Sequence, residues 1–260
     1  MFRRSAIRIA IAATIAVLSS LAHATEEKPT LSIKTKAIEI SVTIDDTIKA
    51  RQNLSANLLA EAKKWADHER KEADREWQTS PELFRSGLRW TSQRDYSVTS
   101  VVANRYISVL RTEITYAGGA HPNTVFDTLL WDEQLRKRIS IRPFFTDLSD
   151  NSRAMVEIQN AIISALTVEK KERGTFEPAD NSWSKGVEPS LLKIGPVTLE
   201  PSTEAGKSSG LTFHYSPYAV GPYVEGSYTA FVPWRILHPY LTAEGLSIFG
   251  GDKPKETGTQ

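Results

Sequence analysis

Two short clusters concentrate the residue types that could do chemistry. The first is Tyr116-Ala117-Gly118-Gly119-Ala120-His121-Pro122 and the second runs from Phe213 through His214, Tyr215, Pro217, Tyr218, Gly221 and Pro222 to Tyr223. Gly118 and Gly119 allow the backbone positive φ or close approach to a neighbour, and Pro122 favours an extended His121. Imidazole exchanges protons near neutral pH, so His121 is a candidate general base, with Asp127 or Asp147 as the carboxylate that would orient it. That pairing would serve a hydrolase. Tyrosine is also a favoured interface anchor, so Tyr116, Tyr218 and Tyr223, with Gly118, Gly119 and His121 shaping the turn, could equally form a rigid surface that presents rings to a partner. A structural turn with aromatic rings packed beneath it is the plainest explanation of both clusters.

Other chemistries find little support. There is no cysteine, hence no disulfide and no thiolate metal site. Of the histidines beyond the first segment, His68, His121, His214 and His238, no two lie one helical turn apart, and no H-E-x-x-H occurs. A zinc site gathered from distant loops stays open, but no metal and no cofactor is expected. Gly226-Ser227-Tyr228 does not complete a G-x-S-x-G elbow. Neither glycine-rich phosphate loop is found, so nucleotide use is unsupported. A glycosidase pair is defined by distance in space rather than along the chain.

The elements that must position these residues read as follows. Leu31, Ile33, Ile38, Ile40, Val42 and Ile44 alternate like a strand over residues 31–44, after which Asp45 and Asp46 supply a cap and an acidic first turn. Leu54, Leu58, Ala62, Trp65, Ala73 and Trp77 then mark one face of a helix reaching about residue 78, whose second half is a charged, solvated face closed by Pro81. Strands are expected over residues 96–102, 106–116 and 124–132, with turns at Asn104 and at Gly118-Gly119, making an antiparallel meander. Met155, Ile158, Ile162, Ala165 and Leu166 mark a second, central helix over residues 152–169. Residues 170–188 read as a connector. Residues 191–199, 211–215 and 227–232 are further strand candidates, and Pro233 opens a short helix at its first position. Helices between runs of strands point to an α+β fold with antiparallel sheets, one long N-terminal helix and one central helix.

The chain starts with Arg3, Arg4 and Arg8, followed by thirteen uncharged residues from Ile9 to Leu21 and the small-x-small triplet Ala22-His23-Ala24. This is the pattern of a cleavable signal peptide, too short for a comfortable membrane span of about 20 residues. Cleavage after Ala24 predicts a periplasmic or secreted protein without a stable membrane anchor. Without those three arginines the 32 basic side chains fall to 29 against 31 acidic ones, a formal charge of about −2. That balance speaks against nucleic acid as a partner. The expected organisation is a signal peptide at 1–24, an N-terminal strand-helix-strand portion at 25–116, a C-terminal α+β portion at 117–249 and a disordered tail at 250–260.

At the two clusters the chain resembles a known family. The Y-x-G-G-A-H turn at Tyr116, the strand after it, the aromatic-Asp-Leu segment at Phe144, Asp147 and Leu148, the following helix, and an F-x-Y-x-P-Y-x-x-G-P-Y-x-x-G block from Phe213 to Gly226 resemble the PdaC/RsiV-like family. That family includes the extracellular lysozyme-binding part of RsiV-type anti-sigma factors and an accessory domain of a peptidoglycan deacetylase. The resemblance implies a free-standing sensing or accessory domain that binds lysozyme or a peptidoglycan fragment, without being an enzyme. Only eight residues precede the apolar run, which argues against a direct anti-sigma role. The alternative from another class is a hydrolase of cell-envelope polymers with His121 as general base.

Overall fold

The computed structural model describes residues 28–255. The signal-peptide reading of residues 1–24 lies outside them, as do the last five residues of the tail. Among the described residues no helix is long and apolar enough to cross a membrane.

The first sheet has six strands in chain order: β1 (Leu31–Lys34), β2 (Ile38–Ile44), β3 (Trp90–Val102), β4 (Tyr106–Tyr116), β5 (Asn123–Asp132) and β6 (Lys137–Ile139). β3 to β5 form the antiparallel meander that the sequence predicts, turning at Asn104 with φ +49°, and the short β6 extends it. Residues 31–44 are two strands rather than one. The Thr35 hydroxyl accepts the N–H groups of Ala37 (3.1 Å) and Ile38 (3.1 Å) and folds the stretch into a hairpin without glycine or proline. β2 and β3 pair in parallel, joined by the crossover helices α1 (Asp46–Lys49) and α2 (Gln52–Thr79). These two replace the single helix expected from residue 45, because Arg51 takes an extended conformation between them, with φ −110° and ψ 97°. Asp45 caps as expected, accepting from Thr47 N at 2.6 Å.

The second sheet contains β7 (Val197–Pro201), β8 (Ser208–Tyr215) and β9 (Tyr228–Pro233), all antiparallel. Between the sheets in sequence comes α3 (Arg153–Glu172), capped by Ser152. The chain closes with α4 (Trp234–Leu237), for which Pro233 is the cap and not the first helical residue, and α5 (Ala243–Ile248). Residues 191–196 are turn and coil, so the expected strand begins only at Val197. The expectation of disorder from Gly250 does not hold for the residues next to it. Gly250 N donates to Ser208 O (2.9 Å), Trp234 Nε1 to Gly251 O (2.8 Å), and Arg235 reaches Asp252 (2.7 Å).

The hydrophobic core falls on the two sides of the first sheet. Leu54, Leu58, Ala62 and Trp65 of α2 cover Ile38, Ile40, Val42, Tyr96, Ile107 and Trp131. A second cluster joins Val102, Tyr106 and Leu130 to α3 and to Leu199, Phe213 and Val232 of the second sheet. The change of side along β3 has a local cause. The register slips between Val98 and Ser100, a bulge that reverses the alternation, so Tyr96 faces α2 while Ser100 and Val102 face the second sheet. Three hydroxyls then fasten the outer edge of β7: Ser100 Oγ donates to Leu199 O (2.8 Å), Ser108 Oγ accepts from Leu199 N (3.0 Å), and Thr128 Oγ1 accepts from Val197 N (3.0 Å). These bonds satisfy an otherwise open strand edge and dock one sheet on the other. The boundary expected at residue 116 falls inside the β4–β5 hairpin, and the first sheet continues across it.

Candidate functional site

The block from Phe213 to Gly226 can be followed residue by residue. Phe213 and Tyr215 are buried at the end of β8, where Tyr215 Oη donates to Ile194 O at 2.7 Å and burial pushes its phenol well above the usual range. Ser216 Oγ accepts from Phe126 N (2.9 Å), which ties this end of β8 to β5. Ala219 N then donates to Ser216 O (3.0 Å) across Pro217 and Tyr218. Proline at the second position and φ +74° at the third give this turn the signature of type II, which normally carries Gly or Asn where Tyr218 stands. Holding a tyrosine there costs roughly 1–2 kcal/mol. The strained residue is also 63% exposed.

Past this turn the backbone presses on a buried charge pair. A Cβ on Gly221 would collide with Glu225 Oε2 and come within 3.0 Å of Lys170 Nζ, so a side chain there would have to displace the charge pair. Lys170 reaches out of the last turn of α3 with its side chain 3% exposed and bonds Glu225 at 2.6 Å, and Tyr228 Oη donates to the same carboxylate at 2.7 Å. Burial works to raise the pKa of Glu225, but the hydrogen bonds from Lys170 and Tyr228 and the charges of Lys170 and Arg173 outweigh it and hold the carboxyl below its ordinary value. Pro222 and Gly226, at φ +74°, bracket the 3-10 turn Tyr223–Glu225 that presents Tyr223.

The β4–β5 loop meets this block. Gly118 and Gly119 adopt φ +86° and +118°, and Tyr116 Oη donates to Gly119 O (3.1 Å), closing the loop on itself. His121 then lies flat on Tyr223, with ring centroids 3.6 Å apart and planes 16° apart. The Tyr218 ring sits 6.1 Å from His121 and 5.5 Å from Tyr223. Pro122 O accepts from Tyr223 Oη (3.0 Å) and lies 3.0 Å from His121 Nδ1, while Tyr218 Oη lies 3.3 Å from His121 Nε2. With a proton on Nδ1 the ring donates to Pro122 O, and Nε2 lies within reach of Tyr218 Oη. Of the six residues singled out in the sequence, three therefore form a ring cluster in which His121 and Tyr218 are exposed and Tyr223 half-buried, and three shape the loop that carries His121. Val224, 89% exposed, adds apolar surface beside Tyr223 and carries no sequence signal of its own.

The carboxylates expected beside His121 have other partners. Asp127 pairs with Arg111 and accepts from Thr128 N (2.8 Å). Asp147 accepts from Ser149 N (2.8 Å), and the Ser149 backbone and hydroxyl hold its carboxyl below the usual range. His214 is buried, with Nε2 2.8 Å from Thr198 Oγ1, away from the exposed face. Among the described residues no group of three or more His, Asp and Glu side chains is placed to hold a metal ion. A cavity of about 570 Å³ between β5, β6 and residues 191–197 is mostly apolar and is lined by none of the three rings.

Lys170 is the residue that sequence reasoning missed. It lies four positions after Leu166, on the apolar stripe of α3, and a lysine on such a stripe calls for an acidic partner.

Fold and site together define an α+β protein of two docked sheets, with an exposed aromatic cluster where the β4–β5 loop meets the β8–β9 connection. Residues 144–235 match the model of a family described as "Protein of unknown function (DUF3298)", so the chain carries a DUF3298 domain over that span. The chain is similar to the crystal structure of a DUF3298 family member from Bacteroides fragilis, at 14% identity and a TM-score of 0.54, over 84% of this chain and 94% of that one. At this identity the likeness shows a shared fold. A DUF3298 family protein from Pseudomonas aeruginosa PAO1 is similar at 13% identity and a TM-score of 0.49, over 82% and 87% of the two chains. None of the curated proteins matches.

Proposed function

We propose that this chain is a periplasmic or secreted, non-enzymatic binding protein of the cell envelope, with the His121, Tyr218 and Tyr223 rings as its contact surface. One observation carries the reading. Side chains about a hundred positions apart in sequence converge into a stacked ring cluster that keeps His121 and Tyr218 exposed, on turns with positive φ at Gly118, Gly119 and Tyr218. Strain retained at an exposed aromatic residue suits a surface kept in shape for contact. The resemblance to the PdaC/RsiV-like family supplies the partners to test, lysozyme first and a peptidoglycan fragment second.

The purified protein is expected to co-elute with lysozyme or to pellet with peptidoglycan. The variant Tyr218→Gly relieves the turn and should stay within about 1 kcal/mol of the parent in stability while losing the contact. If neither partner is retained, the reading fails in its present form. His121→Ala tests the hydrolase alternative, because any envelope-polymer hydrolysis that survives the change removes His121 as a base. Export makes a separate expectation: mass spectrometry of the protein from its own host should find Thr25 at the N-terminus, and a chain retaining Met1 to Ala24 would contradict it.

A further inference from the structure

A polar cleft opens behind Tyr218, between the Tyr218 to Glu225 segment and the stretch from Thr175 to Gly186. Its volume of about 520 Å³ is in the usual range of small-molecule sites. Trp183 and Tyr218 supply rings to its lining, Glu177 and Asp180 supply exposed carboxylates, and the buried Lys170–Glu225 pair contributes from beneath.

These groups select their ligand by charge and by hydrogen-bond type. An ammonium carries three donors, and Lys170 gives one to Glu225 while its Nζ rests 4.5 Å from the Tyr228 ring centroid and 5.4 Å from that of Trp183. Donor capacity therefore remains for an acceptor in the cleft that Lys170 lines. Glu177 and Asp180 ask the opposite, since carboxylates only accept. A simple anion would face those two charges, and a simple cation has no acceptor to offer the remaining donors of Lys170, whose charge Glu225 already offsets. Hydroxyl groups both donate and accept, and the Trp183 and Tyr218 rings in the lining are of the kind that packs on the apolar C–H face of a pyranose.

We propose that this cleft binds one ring of a neutral saccharide. The inference rests on reading the adjoining ring cluster as a binding face, because the two share Tyr218. The test is calorimetric titration of the mature chain with cellotriose and with triacetylchitotriose, using glucose 6-phosphate as the anionic comparator. Saturable binding of at least one neutral trisaccharide is expected, with Kd on the order of millimolar for a single-ring site. Trp183→Ala should weaken it by about tenfold or more. Because Trp183 packs partly against the core, the exposed pair Glu177→Gln with Asp180→Asn provides a second variant, expected to weaken binding without unfolding the chain. Leu135→Ala, at an exposed position in the turn between β5 and β6 and away from the cleft, should leave saccharide affinity unchanged. No saturable binding by either trisaccharide, tighter binding of glucose 6-phosphate, or indifference to both the Trp183 and the carboxylate changes overturns the inference. If lysozyme or peptidoglycan is still retained when the saccharides fail, the cleft alone is at fault. If the saccharides bind while neither lysozyme nor peptidoglycan is retained, the ring cluster loses its role and the cleft is a separate site.

Discussion

Lys170→Met lowers the stability of the folded protein by about 3–5 kcal/mol, the largest effect expected of any single change outside the apolar core. The substitution keeps the length and much of the volume of the side chain and removes the charge. Glu225, whose side chain is 12% exposed, is left with Tyr228 as its side-chain hydrogen-bond donor and loses its nearest counter-ion. A carboxylate so deprived must be held charged in a poor environment or take up a proton, and both disfavour the fold. Urea unfolding followed by tryptophan fluorescence reads the loss as a lower midpoint. Adding Glu225→Gln to Lys170→Met should restore part of it, since no lone charge then remains. A midpoint unmoved by Lys170→Met would mean that the pair contributes nothing to the fold.

Acid should weaken the protein through His214. Burial is the main cause that lowers its pKa from 6.5 to about 4; the charge of Lys253 acts in the same direction and that of Glu200 against it. The unfolded chain therefore binds a proton near pH 6.5 that the folded chain refuses until about pH 4. Stability from this group is complete above about pH 6.5, falls as the pH drops, and is lost by about pH 4, a total on the order of 3 kcal/mol. His214→Gln removes the titration and can keep a hydrogen bond to Thr198. Urea midpoints of the parent and the variant should diverge at about pH 7 and converge toward about pH 4.5, where the parent has lost its advantage. Parallel pH profiles for the two proteins would show that His214 takes no part in acid unfolding.

Much of the fold was legible because its elements bury one face each. The spacing of Leu54, Leu58, Ala62 and Trp65 marked α2, the apolar stripe of Met155, Ile158, Ile162 and Leu166 marked α3, and the 106–116 strand was read to the residue. What escaped depends on contacts between distant residues, or on local hydroxyl-to-backbone bonds that a threonine can make or leave unmade. Nothing local announces the break at Arg51, the hairpin folded by the Thr35 hydroxyl, or the bulge before Ser100 that redirects β3. Ser100, Ser108 and Thr128 look like surface residues and instead fasten β7. The end of the chain is polar in sequence, yet backbone bonds from Ser208 and Thr203 hold residues 250 and 252.

The candidate site shows the same division. Tyr116, Gly118, Gly119, His121, Tyr218 and Tyr223 stood out as residue types in dense clusters, and the Ser216 bond to Phe126 brings the two clusters to one place. Their separate roles, three rings outward and three residues shaping a loop, depend on that meeting. Gly221 makes room for a charge pair whose lysine lies about fifty positions earlier, a distance no local pattern spans.

The ring cluster as a contact surface is tested most directly by measuring lysozyme affinity for the parent and for Tyr223→Ala under identical conditions. Removal of the ring stacked on His121 should weaken binding by about thirtyfold or more, as for an aromatic anchor, while the urea midpoint stays within about 1 kcal/mol of the parent. Equal affinity for the two folded proteins would contradict the account.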